Sequence, residues 1–528
     1  MTEAEVKTRK GVPIWALALI VIAAAGITFF ITAMVANLGE KKGESATQYT
    51  QVVQINETNQ NDPSVWGQNF PQEYDGWLAT STYKSSDHKP DALIPHTSDD
   101  PRDTRTAIAA SKIEDDPRLV TMWKGFAFAI DYRHARGHMY MLDDQKTTLR
   151  VLERPQPGAC VNCHASLVAV YTEYSKAGAN ATFEETMQSG FEQLNNIPYN
   201  CNMTTAKDDC ETAAAAMGTG DPSGVIGDMA TKVTQPLGCV DCHDPATMEL
   251  RVSRPALLNS YAAYKEGKGV TGYQVNRDAT TQEMRALVCA QCHIEYYFEP
   301  VNKNVIFPWA KGLDIDDTYA YYSEIGFSDF KHAITDQGML KVQHPEYEAW
   351  SSSVHAANGV TCADCHMSYQ RVGSQKISNH DVQNPLNDIN GTCGKCHTAS
   401  EQVLQDRVTT INNRFKLSRD KALDSLVTLI GNIEDARAAA GLQAGDDPTP
   451  DIKAAMELQR MASYYIDYAY SENSYGFHNP DYFQRIINQS LDASRQGQLI
   501  LAGVAKEDLA PSQIAQKNTE HIEETGLK

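Results

Sequence analysis

The stretch Leu287-Val-Cys-Ala-Gln-Cys-His-Ile-Glu-Tyr-Tyr-Phe298 decides how the rest of this chain is read. Cys289 and Cys292 stand three positions apart and His293 follows directly, the spacing of covalent c-type haem attachment. On one helical turn, thiols at i and i+3 reach the two vinyl groups of a haem, and the imidazole at i+4 binds the iron from the proximal side. The motif recurs at Cys160/Cys163/His164, Cys239/Cys242/His243, Cys362/Cys365/His366 and Cys393/Cys396/His397. The five copies use ten of the twelve cysteines. A zinc site needs paired ligand knuckles, and nothing here enforces such pairing. The expected cofactor is haem c, five to the chain.

At 528 residues the chain has the length of several domains, but five apolar macrocycles can fill the core of a single unit. The formal charge of −21, made more negative by haem propionates, excludes nucleic acid as a partner. It also repels anionic substrates, so an anion site here must carry its own local positive charge.

Residues 1–11 read as a cytoplasmic N-terminus and 12–38 as a transmembrane anchor. Pro13 to Leu38 holds no charged side chain, and about 20 apolar residues span a bilayer. A cleaved signal peptide would have an apolar region of only ~7–15 residues, and Ala33-Met-Val-Ala36 is a poor cleavage site. Lys7, Arg9 and Lys10 orient the N-terminus to the cytoplasm; Lys41 and Lys42 weaken that bias without reversing it. The remainder then lies on the periplasmic side of a bacterial cytoplasmic membrane. Residues 39–65 read as a polar tether, 66–399 as the haem-bearing region, 400–505 as long helices and 506–528 as a polar tail. Between the first two motifs lie Cys201 and Cys210. In an oxidising compartment they read as a local disulfide, with two separate thiols as the rival.

The fold class is mainly α, a multihaem cytochrome c fold with long C-terminal helices. Val408, Ile411, Phe415, Leu423, Leu426, Ile430 and Ile433 fall near helical spacing. Gly441 ends that helix, and Thr449-Pro450 and Asn479-Pro480 each start another. These helices pack on one another or on a second subunit, and both remain open at this point.

Fifteen histidines are present. Outside the motifs stand His88, His96, His134, His138, His332, His344, His355, His380, His478 and His521. An electron-transfer haem takes two strong axial ligands, whereas a catalytic haem keeps one position open. There are enough histidines to close all five haems, so an electron-conducting wire with no substrate stays open beside an enzyme.

Several stretches sharpen the choice: Arg136-Gly-His-Met-Tyr140, Cys289-Ala-Gln-Cys-His293 with Glu295-Tyr296-Tyr297-Phe298, Phe307-Pro-Trp309, Lys341-Val-Gln-His-Pro345, Cys362-Ala-Asp-Cys-His-Met367 and Gly476-Phe-His478. In order and spacing they closely resemble the ammonia-forming pentahaem cytochrome c nitrite reductases, from about Trp66 to the final helices but not over the interval that holds Cys201 and Cys210. The resemblance implies His138 as distal ligand of the third haem, His380 of the second, His478 of the fourth and His355 of the fifth. The first haem, on Cys160/Cys163, is left without a distal protein ligand. His344, Arg150 and Tyr296 then form the substrate pocket over it. Glu295, Gln343 and the backbones of Tyr296 and Lys341 match the family's calcium ligands, oxygen donors that suit Ca²⁺. One departure is plain: most of the family carries lysine where this chain has His164, and axial ligand identity tunes redox potential.

The implied activity is the six-electron reduction of nitrite to ammonium. Arg150 would attract the anion and stabilise charge on its oxygens, His344 would supply protons or hydrogen bonds, since imidazole titrates near neutral pH, and Tyr296 would orient bound species. The implied partners are a membrane quinol-oxidising multihaem cytochrome as electron donor and a second copy of the chain. A relative of the same architecture acting on hydroxylamine, nitric oxide or sulfite is the enzymatic alternative.

Overall fold

The computed structural model describes residues 13–45, 52–82, 93–99, 103–153, 156–195, 198–200, 233–373 and 375–505. Cys201, Cys210, His88, His521 and the tail 506–528 lie outside the described residues.

The first helix, α1 (Ile14–Ser45), has 32 residues. Among the described residues, no other part of the protein covers its apolar stretch Ala18–Val35. The helix runs past the expected boundary at Leu38, because Glu40, Lys41 and Lys42 are strong helix formers. The expected tether also ends early. Asn69 Oδ1 accepts the backbone N–H groups of Val52 (2.7 Å) and Val53 (2.9 Å), and Ile55 is buried in the core. The packed part of the chain therefore begins by Val52 rather than Trp66.

Strands are minor. The longest described pair is an antiparallel ribbon of Tyr369–Val372 with Gln375–Ser378. Helix α2 (Thr281–Ala290) opens on a capping box: Thr280 Oγ1 accepts from Glu283 N, and Glu283 Oε2 accepts from Thr280 N. The helix ends within the third motif, so its last turn delivers Cys289, and Cys292 and His293 follow on the next turn.

Three long helices close the chain: α3 (Glu401–Ala439), α4 (Pro450–Ser471) and α5 (Pro480–Leu501). Gly441, at φ +70°, ends α3 in a Schellman motif, with Leu442 N bonded to Arg437 O and Gly441 N to Ala438 O, both at 3.0 Å. Thr449 Oγ1 and Asn479 Oδ1 cap α4 and α5. Leu423, Leu426 and Ile430 of α3, Tyr464, Ile466 and Tyr468 of α4 and Phe483, Ile486 and Ile487 of α5 share one core. Each fully buried aliphatic side chain there contributes about 1.5–3 kcal/mol. Val408 and Ile411, nearer the start of α3, are only half-buried, and Val408 faces a cavity instead. A second core gathers Val161, Leu167, Val240, Leu257, Leu287 and Ile294 around the first three motifs.

Candidate functional site

A cavity of about 1370 Å³ runs through the protein, lined by the cysteines and histidines of the first four motifs and by Cys393. It exceeds the roughly 300–1,000 Å³ of an ordinary small-molecule pocket. The motifs are single turns: the backbone N–H of His243, His293 and His397 bonds to the carbonyl of Cys239, Cys289 and Cys393 at 2.9, 3.1 and 2.9 Å. The third motif is central. Its Cys292 meets Cys163 of the first, and its Cys289 meets Cys362 of the fourth. Cys396 of the fifth is exposed.

Four histidine pairs face one another across this space. Ring centroids are 6.2 Å apart for His243 and His380, 6.4 Å for His138 and His293, 6.2 Å for His366 and His478, and 6.4 Å for His355 and His397. Two metal–imidazole bonds of about 2 Å plus the half-widths of two rings make up such a gap, so these residues fit an iron between them. Backbone carbonyls hold several rings by Nδ1: Met248 for His243, Gln383 for His366 and Ser378 for His380, each at 2.9 Å. Such contacts set the tautomer and leave Nε2 for a metal. Of the other histidines, His96 contacts Asp103, His134 contacts Asp115 and His332 contacts the Thr121 carbonyl.

His164 differs. Its ring bonds to the Met141 carbonyl, and among the described residues no histidine ring faces it across a comparable gap. Arg150 and His344 lie within electrostatic reach of it, Tyr296 lies within reach of Arg150 and Cys160, and all three line the cavity with it. The Arg150 guanidinium stacks 4.2 Å over Phe128, and its Nε donates to Thr148 Oγ1 at 3.2 Å. Thr148 is itself fixed by Asp131 at 2.8 Å. Burial lowers the Arg150 pKa, opposed by Asp131 and by Tyr296, yet a guanidinium stays charged at neutral pH. Burial, with the Cys163 and Cys160 thiols near by, pushes the Tyr296 phenol well up. Burial also pushes His344 down to about 3. It therefore enters as a neutral imidazole with one N–H to donate, not as a group poised near neutral pH. His344 is also 6.4 Å from His293, ring to ring.

Sequence reasoning missed what braces the motifs. Arg254 is buried, and its Nε donates to Asn162 O (2.8 Å), NH2 to Ala165 O (2.7 Å) and NH1 to Asp241 Oδ1 (2.8 Å). Gln291 Oε1 accepts Ser253 N at 2.8 Å and Arg254 N at 3.1 Å, and its Nε2 donates to Asp241 O at 3.2 Å. Asn162, Asp241 and Gln291 each stand immediately before the second cysteine of a motif. Asp364, at the same place in the fourth motif, pairs with Arg285 at 2.5 Å. A polar residue at that position was the signal.

The expected calcium ligands also converge. Glu295 is buried; its Oε2 accepts Gln343 N at 2.7 Å and its Oε1 accepts Tyr322 OH at 3.0 Å. Gln343 Nε2 donates to Lys341 O at 3.3 Å. Burial, with Asp329 and Glu348 near by, holds the Glu295 carboxyl well above its usual range, and burial lifts Asp329 to about 7. Among the described residues no three His, Cys, Asp or Glu side chains form a ready metal cluster. A site of one carboxylate, two carbonyls and an amide oxygen is of another kind. A turn of the Gln343 amide presents its oxygen beside the Lys341 carbonyl, so the residues fit a hard cation.

Residues 62–526 match the family described as cytochrome c552. The cytochrome c-552 of Parabacteroides distasonis is 33% identical over 445 residues, which cover 83% of this chain and 75% of that protein. That of Bacteroides fragilis is 30% identical over 507 residues, covering 93% and 86%. Among solved structures, the catalytic subunit of cytochrome c nitrite reductase from Desulfovibrio desulfuricans ATCC 27774, described with two calcium sites, superposes with a TM-score of 0.66 at 26% identity. That match covers 87% of this chain and 90% of the other.

Proposed function

The chain belongs to the cytochrome c552 family, and from that membership we propose a cytochrome c nitrite reductase that converts nitrite to ammonium by a six-electron reduction. Nitrogen passes from +3 to −3, and both oxygens leave as water. The observation that carries this reading is the contrast around the motifs. Four motif imidazoles each face His138, His380, His478 or His355, while among the described residues His164 has no such facing ring and has Arg150 and His344 within electrostatic reach, His344 standing also 6.4 Å from His293. Five haems are proposed, one on each motif, with His138, His380, His478 and His355 as distal ligands of the third, second, fourth and fifth.

Haem iron, when bound, supplies the electrons and, at the first motif, an open coordination position. Arg150 draws the anion into a protein of charge −21 and stabilises negative charge on its oxygens. His344 donates its N–H to the oxygen that is leaving. The Tyr296 hydroxyl, kept protonated by burial, orients what is bound. Ca²⁺ held by Glu295, Gln343 and the carbonyls of Tyr296 and Lys341 would fix the backbone on either side of the pocket. The proposed setting is periplasmic, with α1 anchored in the cytoplasmic membrane, a multihaem quinol oxidase as donor and a homodimer formed through α3–α5.

Spectroscopy of the resting ferric protein tests the reading. One haem in five has a weak or missing sixth ligand and changes on addition of nitrite, and the reduced protein binds carbon monoxide. Five low-spin haems indifferent to both ligands would refute it.

A further inference from the structure

Two of the facing pairs differ in what stands behind their rings. Behind both rings of the His243/His380 pair are neutral carbonyls, those of Met248 and Ser378. Behind His366 is the Gln383 carbonyl. Behind His478 is a carboxylate: Glu472 Oε1 lies 2.5 Å from His478 Nδ1 as a close charged contact outside hydrogen-bond geometry, and the Glu472 side chain is sealed from solvent.

Local geometry keeps that carboxylate in place. Helix α4 ends at Ser471, and Glu472 is its C-cap residue. Ser474 then holds the other carboxylate oxygen, with its N at 3.1 Å and its Oγ at 2.8 Å from Glu472 Oε2. The same Ser474 Oγ accepts the backbone N–H of His478 at 3.0 Å. The chain reverses through Tyr475 (φ +53°) and Gly476 (φ +83°). A Cβ on Gly476 would lie 2.6 Å from Phe415 Cδ2, so only glycine makes this turn without displacing the ring. Between these residues Asn473 Nδ2 binds Glu346 Oε1 at 2.6 Å, and Asn473 Oδ1 lies 3.3 Å from Lys112 Nζ. This stretch thus places the Glu472 carboxylate against one axial ring and holds Glu346, whose Oε2 lies 3.8 Å from Nδ1 of His293 in another facing pair.

We infer that Glu472 is a positioning residue that lowers the reduction potential of the iron held between His366 and His478 below that of the iron between His243 and His380. This rests on the ligand assignment proposed above. A carboxylate on Nδ1 raises the basicity of the ligating nitrogen and favours ferric over ferrous iron. Burial strengthens the effect, since little solvent screens the charge. The couple exchanges one electron, with both imidazoles retained.

Spectropotentiometric titration of the haem-loaded protein tests the inference. In Glu472→Gln, which keeps an oxygen for Ser474 but loses the charge, one low-spin midpoint moves positive. The expected size is a tenfold change in ferric-to-ferrous ratio at fixed potential, about 59 mV for one electron. Glu472→Asp, which keeps the charge, moves that midpoint less than half as far. The parent protein gives a second readout that needs no variant. Its near-infrared magnetic circular dichroism shows one low-spin haem with an imidazolate-like charge-transfer band. Unchanged midpoints in Glu472→Gln, equal shifts in both variants, or only neutral-imidazole bands in the parent overturn the inference. His478→Ala separates the two readings. If it leaves every low-spin haem in place, the ligand assignment falls and the inference with it. If it yields one high-spin haem while Glu472→Gln shifts nothing, only the inference falls.

Discussion

Lys341 Nζ lies 3.0 Å from Asp467 Oδ1, and both side chains are completely buried. The second Asp467 oxygen accepts Val342 N at 2.9 Å and Trp123 Nε1 at 3.3 Å. One carboxylate on α4 therefore clamps the backbone segment whose Lys341 carbonyl and Gln343 side chain are proposed to hold calcium. Breaking a buried pair by removing one partner costs about 3–5 kcal/mol. Asp467→Asn is expected to lower thermal stability by that order and to weaken calcium retention. Glu295→Ala is expected to weaken calcium retention and activity while the haems stay attached. Metal analysis and haem content of the two purified variants check both; full activity and parental calcium in Glu295→Ala would remove Glu295 from the ligand set.

Arg150 and His344 should separate in kinetics. Arg150→Ala removes the charge that captures the anion, so KM rises strongly. His344→Ala removes a donor needed as an N–O bond breaks, so kcat falls while KM changes little. Steady-state turnover of nitrite by each variant is the measurement. The reverse pattern would exchange the two roles.

Asp103 supplies a pH prediction. Arg105 Nε and NH2 each stand 2.9 Å from one of its oxygens and His96 Nε2 stands 2.8 Å away. The hydrogen bonds from Arg105, with help from His96 and against the opposing effect of burial, hold the Asp103 carboxyl well below its usual range. A depressed carboxylate stabilises the fold fully above its unfolded pKa of about 3.9, and that stability is lost as pH falls toward the folded value. Asp103→Asn should therefore be less stable than the parent at neutral pH, and the gap should begin to narrow on acidification below about pH 4. Denaturation midpoints of both proteins across pH 7 to 3 check this; a gap of constant width would refute it.

Helix α1 should keep the protein on membranes. At 32 residues it is about 48 Å long at 1.5 Å per residue, against a hydrocarbon core of about 30 Å. The purified protein is expected to resist extraction by salt and to need detergent. A mature N-terminus near Asn37 would show cleavage instead.

The haem motifs, the long helices and their caps were legible because each rests on local chemistry: cysteine spacing, helical periodicity, and a capping oxygen before proline. The facing histidines were legible only through resemblance, since His138 and His293, or His366 and His478, share nothing local. Arg254 was not legible at all. Its partners come from three separate motifs, and a lone arginine before Pro255 carries no periodic signal. The early end of the tether was hidden for a similar reason. Ile55 sits in a polar stretch, and only its tertiary contacts make it part of the core. The shift on His344 likewise follows from burial that no sequence window reports.

The order of facing histidines along the chain has a consequence for biogenesis. His138 and His355 precede the motifs they face, whereas His380 and His478 follow theirs. During export from the N-terminus, a chain that has just presented its third or fifth motif already carries the facing ring. The second centre must wait for His380. The fourth must wait until α4 and the Gly476 turn have emerged. Under the proposed ligand assignment, a chain cut before His478 would hold all its haem-attachment cysteines yet leave the iron of the fourth motif, like that of the first, without a distal ring.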